Sequence, residues 1–254
     1  MPYRFATERQ NYADYAAGKV FYALPGHPAF PIRLASEIFQ SCLATRKAHN
    51  ATTPCTLYDP CCGGAYHLST LAYLHWNAIH EIIGSDIDED VLALAQRNLA
   101  LLTLDGLGRR IEEISVMWAA YGKASHVEAL ESATTLRQKL LKSVKTHPIK
   151  TRLFRADATD NQALSANLKE ATVDIVMSDI PYGRLSEWQE AASAPASPVW
   201  SMLDALRCVL TSNSVVAIAS DKSQKIAHEH YRRVERFGVG KRHVTLLMLA
   251  NSDS

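Results

Sequence analysis

The chain is expected to fold as an open α/β sheet, mostly parallel, with helices on both faces. Three observations carry that expectation. Short apolar runs recur at residues 55–58, 82–86, 152–155, 173–177 and 215–219. Segments with helical apolar spacing lie between them, the pattern of parallel strands joined by crossover helices. An acid also stands at or just past the end of four successive runs: Asp59, Asp86, Asp157 and Asp179. Open α/β sheets bind ligands outside the carboxyl ends of their strands, so this series of carboxylates reads as a site built along one edge.

Composition sets the frame. A chain of 254 residues, 47% hydrophobic and 21% charged, can bury a substantial core in one domain. The whole length 1–254 is read that way, with an N-terminal extension over 1–50 and an insertion at about 105–149. No apolar run approaches the roughly 20 residues that span a membrane. The net charge of +1 does not by itself point to nucleic acid. Five cysteines, an odd number without a leader-like segment, predict a reducing cytoplasm. Cys61 and Cys62 are adjacent rather than spaced C-x-x-C, and the others are scattered, so no metal is expected.

Taken in order, residues 1–30 are rich in aromatics, with Arg4 and Arg9 among Tyr3, Phe5, Tyr12, Tyr15, Phe21, Tyr22 and Phe30. Such a mixture suits base stacking and phosphate contact, which makes Arg4, Arg9 and Tyr12 candidates for RNA binding. For most of these aromatics the expectation is docking onto the domain. An amphipathic helix follows over 32–43, then a polar connector over 50–54. The first strand opens into Asp59-Pro60-Cys61-Cys62-Gly63-Gly64-Ala65, and Leu68, Leu71, Ala72 and Leu74 mark a helix. Strand, glycine turn and helix together let a ligand approach backbone amides closely. The second strand ends at Asp86, about 20 residues further on, where such folds hold ribose hydroxyls. Ile87 follows it.

A helix is predicted over 90–104. Residues 105–149 are too many for an ordinary helix-to-strand link. Ile111, Ile114 and Trp118 predict one helix, broken near Gly122, and Val127, Leu130, Ala133, Leu140 and Val144 a second. The third strand leads to Asp157 and Ala158. After the fourth come a loop over 184–198 that carries Trp188, a helix over 200–210 and the fifth strand. Strands at 231–237 and 244–249 complete the set. Lys222, Lys225, Arg232, Arg233, Arg236, Lys241 and Arg242 outnumber the acids between 221 and 243. The run is either a solvated edge or a patch for RNA phosphates, with Lys222, Lys225, Arg232 and Arg233 the contact candidates.

The most specific stretch is Ser178-Asp179-Ile180-Pro181-Tyr182-Gly183. Asp179 places a carboxylate at the end of a strand. Pro181 fixes its own φ and restrains Ile180, Tyr182 offers a flat face, and Gly183 lets the backbone turn away. An acceptor beside a stacking surface suits a planar base that bears an amine. The stretch resembles the Asp-Pro-Pro-Tyr-Gly signature of S-adenosylmethionine-dependent amino-group methyltransferases, with Ile180 in place of the first proline. The resemblance implies that residues 179–183 hold the base and localise the nitrogen lone pair. It also implies that Asp59, Pro60, Cys61, Cys62, Gly63, Gly64, Asp86, Ile87, Asp157 and Ala158 bind S-adenosylmethionine. The first loop lacks a full G-x-G-x-x-G and carries Ala65 where a glycine is common, which weakens a dinucleotide-binding dehydrogenase more than a methyltransferase.

Over nearly its whole length the chain is similar to the avilamycin-resistance type of 23S rRNA guanine methyltransferase. Tyr12 and Tyr15, the block Pro25-Gly26-His27-Pro28-Ala29-Phe30-Pro31, Arg33 to Gln40, Asn98 to Leu102, the inserted hairpin and the 179–183 loop carry the likeness. It implies a Rossmann-like class I methyltransferase fold, a seven-stranded sheet closed by an antiparallel C-terminal hairpin. The implied activity is methylation of a guanosine of 23S rRNA, free or in the large ribosomal subunit, with reduced sensitivity to orthosomycins. A monomer is expected. The sequence leaves open whether the exocyclic amine or the ring nitrogen is methylated. The rivals are a protein glutamine methyltransferase, which favours Asn at 179, a DNA amino-methyltransferase, and a non-catalytic RNA-binding protein of this fold.

Overall fold

The computed structural model describes residues 3–23, 26, 29–169, 172–180 and 197–250. Seven strands form one sheet in the order β3-β2-β1-β4-β5-β7-β6. β1 (Cys55–Asp59) lies between β2 (Ile79–Asp86) and β4 (Val173–Asp179), parallel to both. β3 (Lys150–Arg155) extends one side in parallel, and β5 (Leu210–Asp221) extends the other. β7 (Arg242–Leu249) runs antiparallel to β5 and to β6 (Tyr231–Val239), forming the expected hairpin. The chain builds outward from β1 to β3 and then returns to lay β4 on the other side of β1. The strand order therefore reverses between Asp59 and Asp179, the place where open sheets open a crevice.

The central strands are buried on both faces, so they read as continuous apolar runs instead of alternating ones. Successive side chains enter opposite cores. Leu57, Ile82, Ile175, Met177 and Ala217 meet α1 (Ile32–Ala48) and α2 (Tyr66–His75) through Leu34, Ile38, Phe39, Leu68 and Leu71. Tyr58, Ile83, Val176, Val216 and Ile218 meet α6 (Asn161–Leu168) and α7 (Pro198–Leu206) through Leu164, Leu168, Met202 and Leu203.

The N-terminal segment docks on the first of these faces, as expected for most of its aromatics. Tyr15, Phe21 and Phe30 are buried there. Glu37 of α1 accepts three backbone N–H groups, from Arg4, Phe5 and Ala6, at 2.7, 2.9 and 2.7 Å.

Local chemistry corrects several predicted boundaries. The single helix expected over 90–104 is two: α3 (Glu89–Ala100), capped by Asp88, and α4 (Leu104–Tyr121), capped by the Thr103 hydroxyl. Gly106 makes the close turn possible, since a Cβ there would stand 2.0 Å from the Ala100 carbonyl oxygen. Gly122, at φ +60°, ends α4 in the left-handed region, where the sequence placed the break, and α5 (Ala124–Ser143) follows. Trp118 does not mark the packed face. It is exposed, and α4 buries Leu107, Arg110 and Ile114 instead. The helix expected over 200–210 starts two residues earlier behind the Ser197 cap, and a short 3₁₀ turn over Arg207–Val209 hands the chain to β5.

Candidate active site at the carboxyl edge

β1 ends in Asp59, whose carboxylate is fully buried. Its Oδ1 accepts the Cys61 N–H at 2.9 Å, and its Oδ2 lies 3.1 Å from His67 Nε2 on α2. The loop after Asp59 is tied to the end of β2. Cys62 N–H donates to the Ser85 carbonyl, and Gly63 N–H to Asp86 Oδ2, both at 2.9 Å. Gly63 and Ala65 adopt positive φ, +51° and +52°. For Ala65 that is a strained conformation, held because Ala65 N–H and C=O are both bonded, to Cys62 and to Ser69. A side chain at Gly63 would meet nothing within 4 Å, so open space lies over the loop.

Asn98 of α3 fastens this loop to the N-terminal segment. Its amide donates to the Gly64 carbonyl at 2.7 Å and the Tyr22 carbonyl at 3.1 Å, and accepts Tyr22 N–H at 2.8 Å. Beside the loop, Asp86 is partly exposed and also accepts Asp88 N–H at 3.1 Å. Burial pushes its carboxyl above the usual range, against the pull of those N–H donors. Ile87 next to it is an exposed apolar side chain. Asp157 caps its own turn through Thr159, and Ala158 is buried. An acid, an exposed apolar side chain and an open glycine turn thus lie side by side at the carboxyl edge.

Across the strand reversal, Asp179 ends β4 with a quarter of its side chain exposed (25%). Burial raises its carboxyl pKa, and Arg242, 3.6 Å away at Nε, pulls in the opposite direction. Arg242 comes from β7, two strands over, and its guanidinium stacks 5.3 Å from the centre of the Phe30 ring. The other side of this assembly is His67, 5.8 Å from Phe30 between ring centres. Burial disfavours its charge, but Asp59 outweighs that, with help from Asp179 and the Met177 carbonyl, so the imidazole titrates above its ordinary value. Ile180 N–H bonds to the Ala219 carbonyl at 3.1 Å and its side chain is fully buried. Its buried side chain and this bond anchor the end of β4 beside Asp179. Pro181, Tyr182, Gly183 and Trp188 lie outside the described residues.

The basic run of residues 221–243 is divided by the hairpin and forms no single patch. Lys222 and Lys225 are exposed just after the carboxyl end of β5. Arg232 and Arg233 open β6, opposite the last residues of β7, and Arg232 reaches His49 behind α1 at 2.9 Å. They sit at the amino edge of the sheet, away from Asp179. Arg4 is held by Glu235 at 3.2 Å, Arg9 is exposed, and Tyr12 is half-buried against Tyr15. The Cys61 and Cys62 thiols are pushed up by burial and then by Asp59 and Asp86, which disfavours thiolate chemistry. Among the described residues no His, Cys, Asp and Glu cluster could hold a metal, and no helix is long and apolar enough to cross a membrane.

Sequence reasoning assigned no site role to Arg242, His67 or Asn98. Arg242 left a signal as one cation in a basic run and Asn98 as the start of a stretch that carries the family likeness, while His67 left none.

The family described as rRNA methyltransferase AviRa matches residues 1–242. A 23S rRNA (guanine(2535)-N(1))-methyltransferase from Streptomyces viridochromogenes is 39% identical over 249 residues, 98% of this chain and 96% of that protein. Two solved structures of rRNA methyltransferase AviRa from the same organism share the fold. One has a TM-score of 0.85 at 39% identity, covering 97% of this chain and 96% of that one. The other has a TM-score of 0.86 at 37% identity, covering 98% and 96%. With the match running from the N-terminal segment into the closing hairpin, the chain belongs to the AviRa family of rRNA methyltransferases.

Proposed function

We propose that this protein transfers a methyl group from S-adenosylmethionine to N1 of a guanine in 23S rRNA, and thereby lowers sensitivity to orthosomycins such as avilamycin. The observation that carries the reading is Asp179, a carboxylate held at the strand reversal across from the Asp86–Gly63 loop. The relative named above acts on guanine N1, which favours the ring nitrogen over the exocyclic amine.

S-adenosylmethionine supplies an electrophilic methyl group on a sulfonium. Asp86 would accept hydrogen bonds from its ribose hydroxyls, Ile87 would pack on its adenine, with Asp157 and Ala158 nearby, and the 60–64 loop would supply the remaining contacts. Guanine N1 carries a proton in the neutral base, so its lone pair becomes available only as that proton leaves. Asp179 accepts it. The raised pKa brings this carboxylate nearer to working pH, where a general base is most effective. Tyr182 and Trp188 are the stacking candidates, and Arg9, Tyr12, Lys222 and Lys225 those for RNA contact. Arg232 and Arg233, at the start of β6 on the far side of the hairpin, are candidates for RNA beyond the target nucleotide.

The test offers labelled S-adenosylmethionine with protein-free 23S rRNA, large ribosomal subunits, 16S rRNA, tRNA, DNA and a ribosomal protein extract. Label at guanine N1 in 23S rRNA or the subunit is expected, and its loss in Asp179→Ala with product-cofactor affinity nearly intact. Label in another pool discards the rRNA assignment. A tenfold loss of cofactor affinity in the variant removes Asp179 from its role.

A further inference from the structure

We propose that Arg242 is a second base-reading residue: its guanidinium donates to guanine O6 while Asp179 accepts the N1 proton, so that the pair selects guanine and holds the charge that develops on O6. The proposal rests on the guanine N1 reading given above. Arg242 and Asp179 lie on one face of the sheet. In register, Asp179 pairs with Ala219 and Ala219 with Val244, and Arg242 precedes Val244 by two residues on the same face. On that face the strand between them presents Asp221 opposite Arg242 and the methyl group of Ala219 opposite Asp179, and the small Ala219 side chain leaves room for the arginine to cross to β4. Phe30 supplies a ring under the guanidinium, whose central carbon lies 5.3 Å from the ring centre.

Arg242 Nε lies 3.6 Å from Asp179 Oδ1, and because a carboxylate offers about four lone-pair sites, Asp179 keeps acceptor capacity for a base beside the arginine. Both side chains remain partly exposed, 22% and 25%. The Watson–Crick edge of guanine presents an acceptor, O6, beside two donors, N1–H and the exocyclic amine. A cation beside a carboxylate is its complement. Adenine, with a donor and an acceptor in the reverse order, faces the pair with like groups, a mismatch that leaves buried polar groups unmet.

The same pair balances the reaction. The N1 proton passes to Asp179, and negative charge moves through the ring towards O6. The N1 lone pair then bonds to the methyl carbon as its bond to sulfur breaks, and that electron pair leaves with sulfur. A fixed donor at the place where charge develops lowers the barrier, and removing one such donor typically costs about 10²–10³ in turnover.

Arg242→Gln and Arg242→Lys test this, each assayed on a target RNA carrying guanine and on the same RNA carrying 6-thioguanine at the target position. Expected for Arg242→Gln is a fall in kcat of about 10²-fold on guanine, with affinity for S-adenosylhomocysteine within about twofold of the parent. The thione has a more acidic N1–H and needs less help at position 6, so the deficit should shrink about tenfold there. The lysine variant should recover part of the loss, and it carries the comparison if the glutamine variant does not fold. If the parent methylates guanine but Arg242→Gln loses less than threefold, or loses equally on both bases, or loses cofactor affinity in proportion, the proposal is overturned. A parent that methylates no guanine removes the underlying reading and this one with it.

Discussion

Asn98 gives the sharpest prediction, because one fully buried amide joins the N-terminal segment, α3 and the cofactor-side loop. Its three bonds, at 2.7, 2.8 and 3.1 Å, go to backbone groups of Gly64 and Tyr22. Asn98→Ala removes them all and leaves two carbonyls and one N–H without a partner. A buried polar group so orphaned costs about 1–3 kcal/mol, and water entering the gap left by the smaller side chain recovers part of it. A net loss of about 2–4 kcal/mol follows, a large share of the about 5–15 kcal/mol that holds a domain together. Gly64 adjoins Gly63, whose N–H is bound to Asp86, so affinity for S-adenosylhomocysteine should fall as well, by about 1 kcal/mol or five- to tenfold.

The isosteric Asn98→Asp sharpens the test. It keeps an acceptor for Tyr22 N–H but turns a carboxylate oxygen towards two carbonyl oxygens in a fully buried place, so it should be at least as damaging as alanine. Urea unfolding followed by tryptophan fluorescence gives the stability, and calorimetric titration gives the affinity. An aspartate variant as stable as the parent, or an alanine variant within about 1 kcal/mol with unaltered affinity, refutes the argument.

Three further outcomes are expected. Asp86→Ala should weaken cofactor binding by about 1–3 kcal/mol through lost charge-assisted hydrogen bonds, and unchanged affinity sinks the ribose assignment. Glu37→Ala frees the amides of Arg4, Phe5 and Ala6, so limited proteolysis should cut the first residues of the variant sooner; equal cutting rates refute the tether. His67 has a folded-state pKa above its ordinary 6.5, so its ion pair with Asp59 stabilises fully below pH 6.5 and the contribution is lost as pH rises through the folded value. The advantage of the parent over His67→Gln in urea midpoint should therefore shrink from pH 6.5 upward, and an advantage that grows with pH contradicts the pairing.

What the sequence discloses here is what depends on near neighbours. Asp59, Asp86 and Asp179 are legible because an acid after a β-branched run marks a strand end locally. Gly122 is legible because a left-handed C-terminal turn favours glycine. The contacts that complete the site are of another kind. Arg242 meets Asp179 only because β7 inserts beside β5, and His67 meets Asp59 only because α2 packs back over β1. Nothing local encodes which strand is adjacent to which. The same limit explains the basic run: Lys222 and Arg232 are near in sequence, yet the intervening segment carries the chain from the carboxyl edge to the amino edge. The helix expected over 90–104 was split by a packing fact, the approach of Gly106 to the Ala100 carbonyl, that leaves no periodic trace.

On the proposed function, the carboxylates along one edge also set how RNA can enter. Asp59, Asp86, Asp157 and Asp179 concentrate negative charge there, which suits a sulfonium and repels phosphates. At physiological salt such repulsion is screened beyond about 8 Å, so it acts on the nucleotide in the site more than on the rest of the RNA. A net charge of +1 provides little long-range attraction to offset it. Phosphate contacts therefore fall to exposed cations beyond that distance, and the base must enter as a neutral edge read by complementary groups. Arg242 is the cation that answers the Asp179 carboxylate inside the site. In this reading the carboxylates exclude the RNA backbone from the reaction centre while the Asp179–Arg242 pair admits a guanine edge.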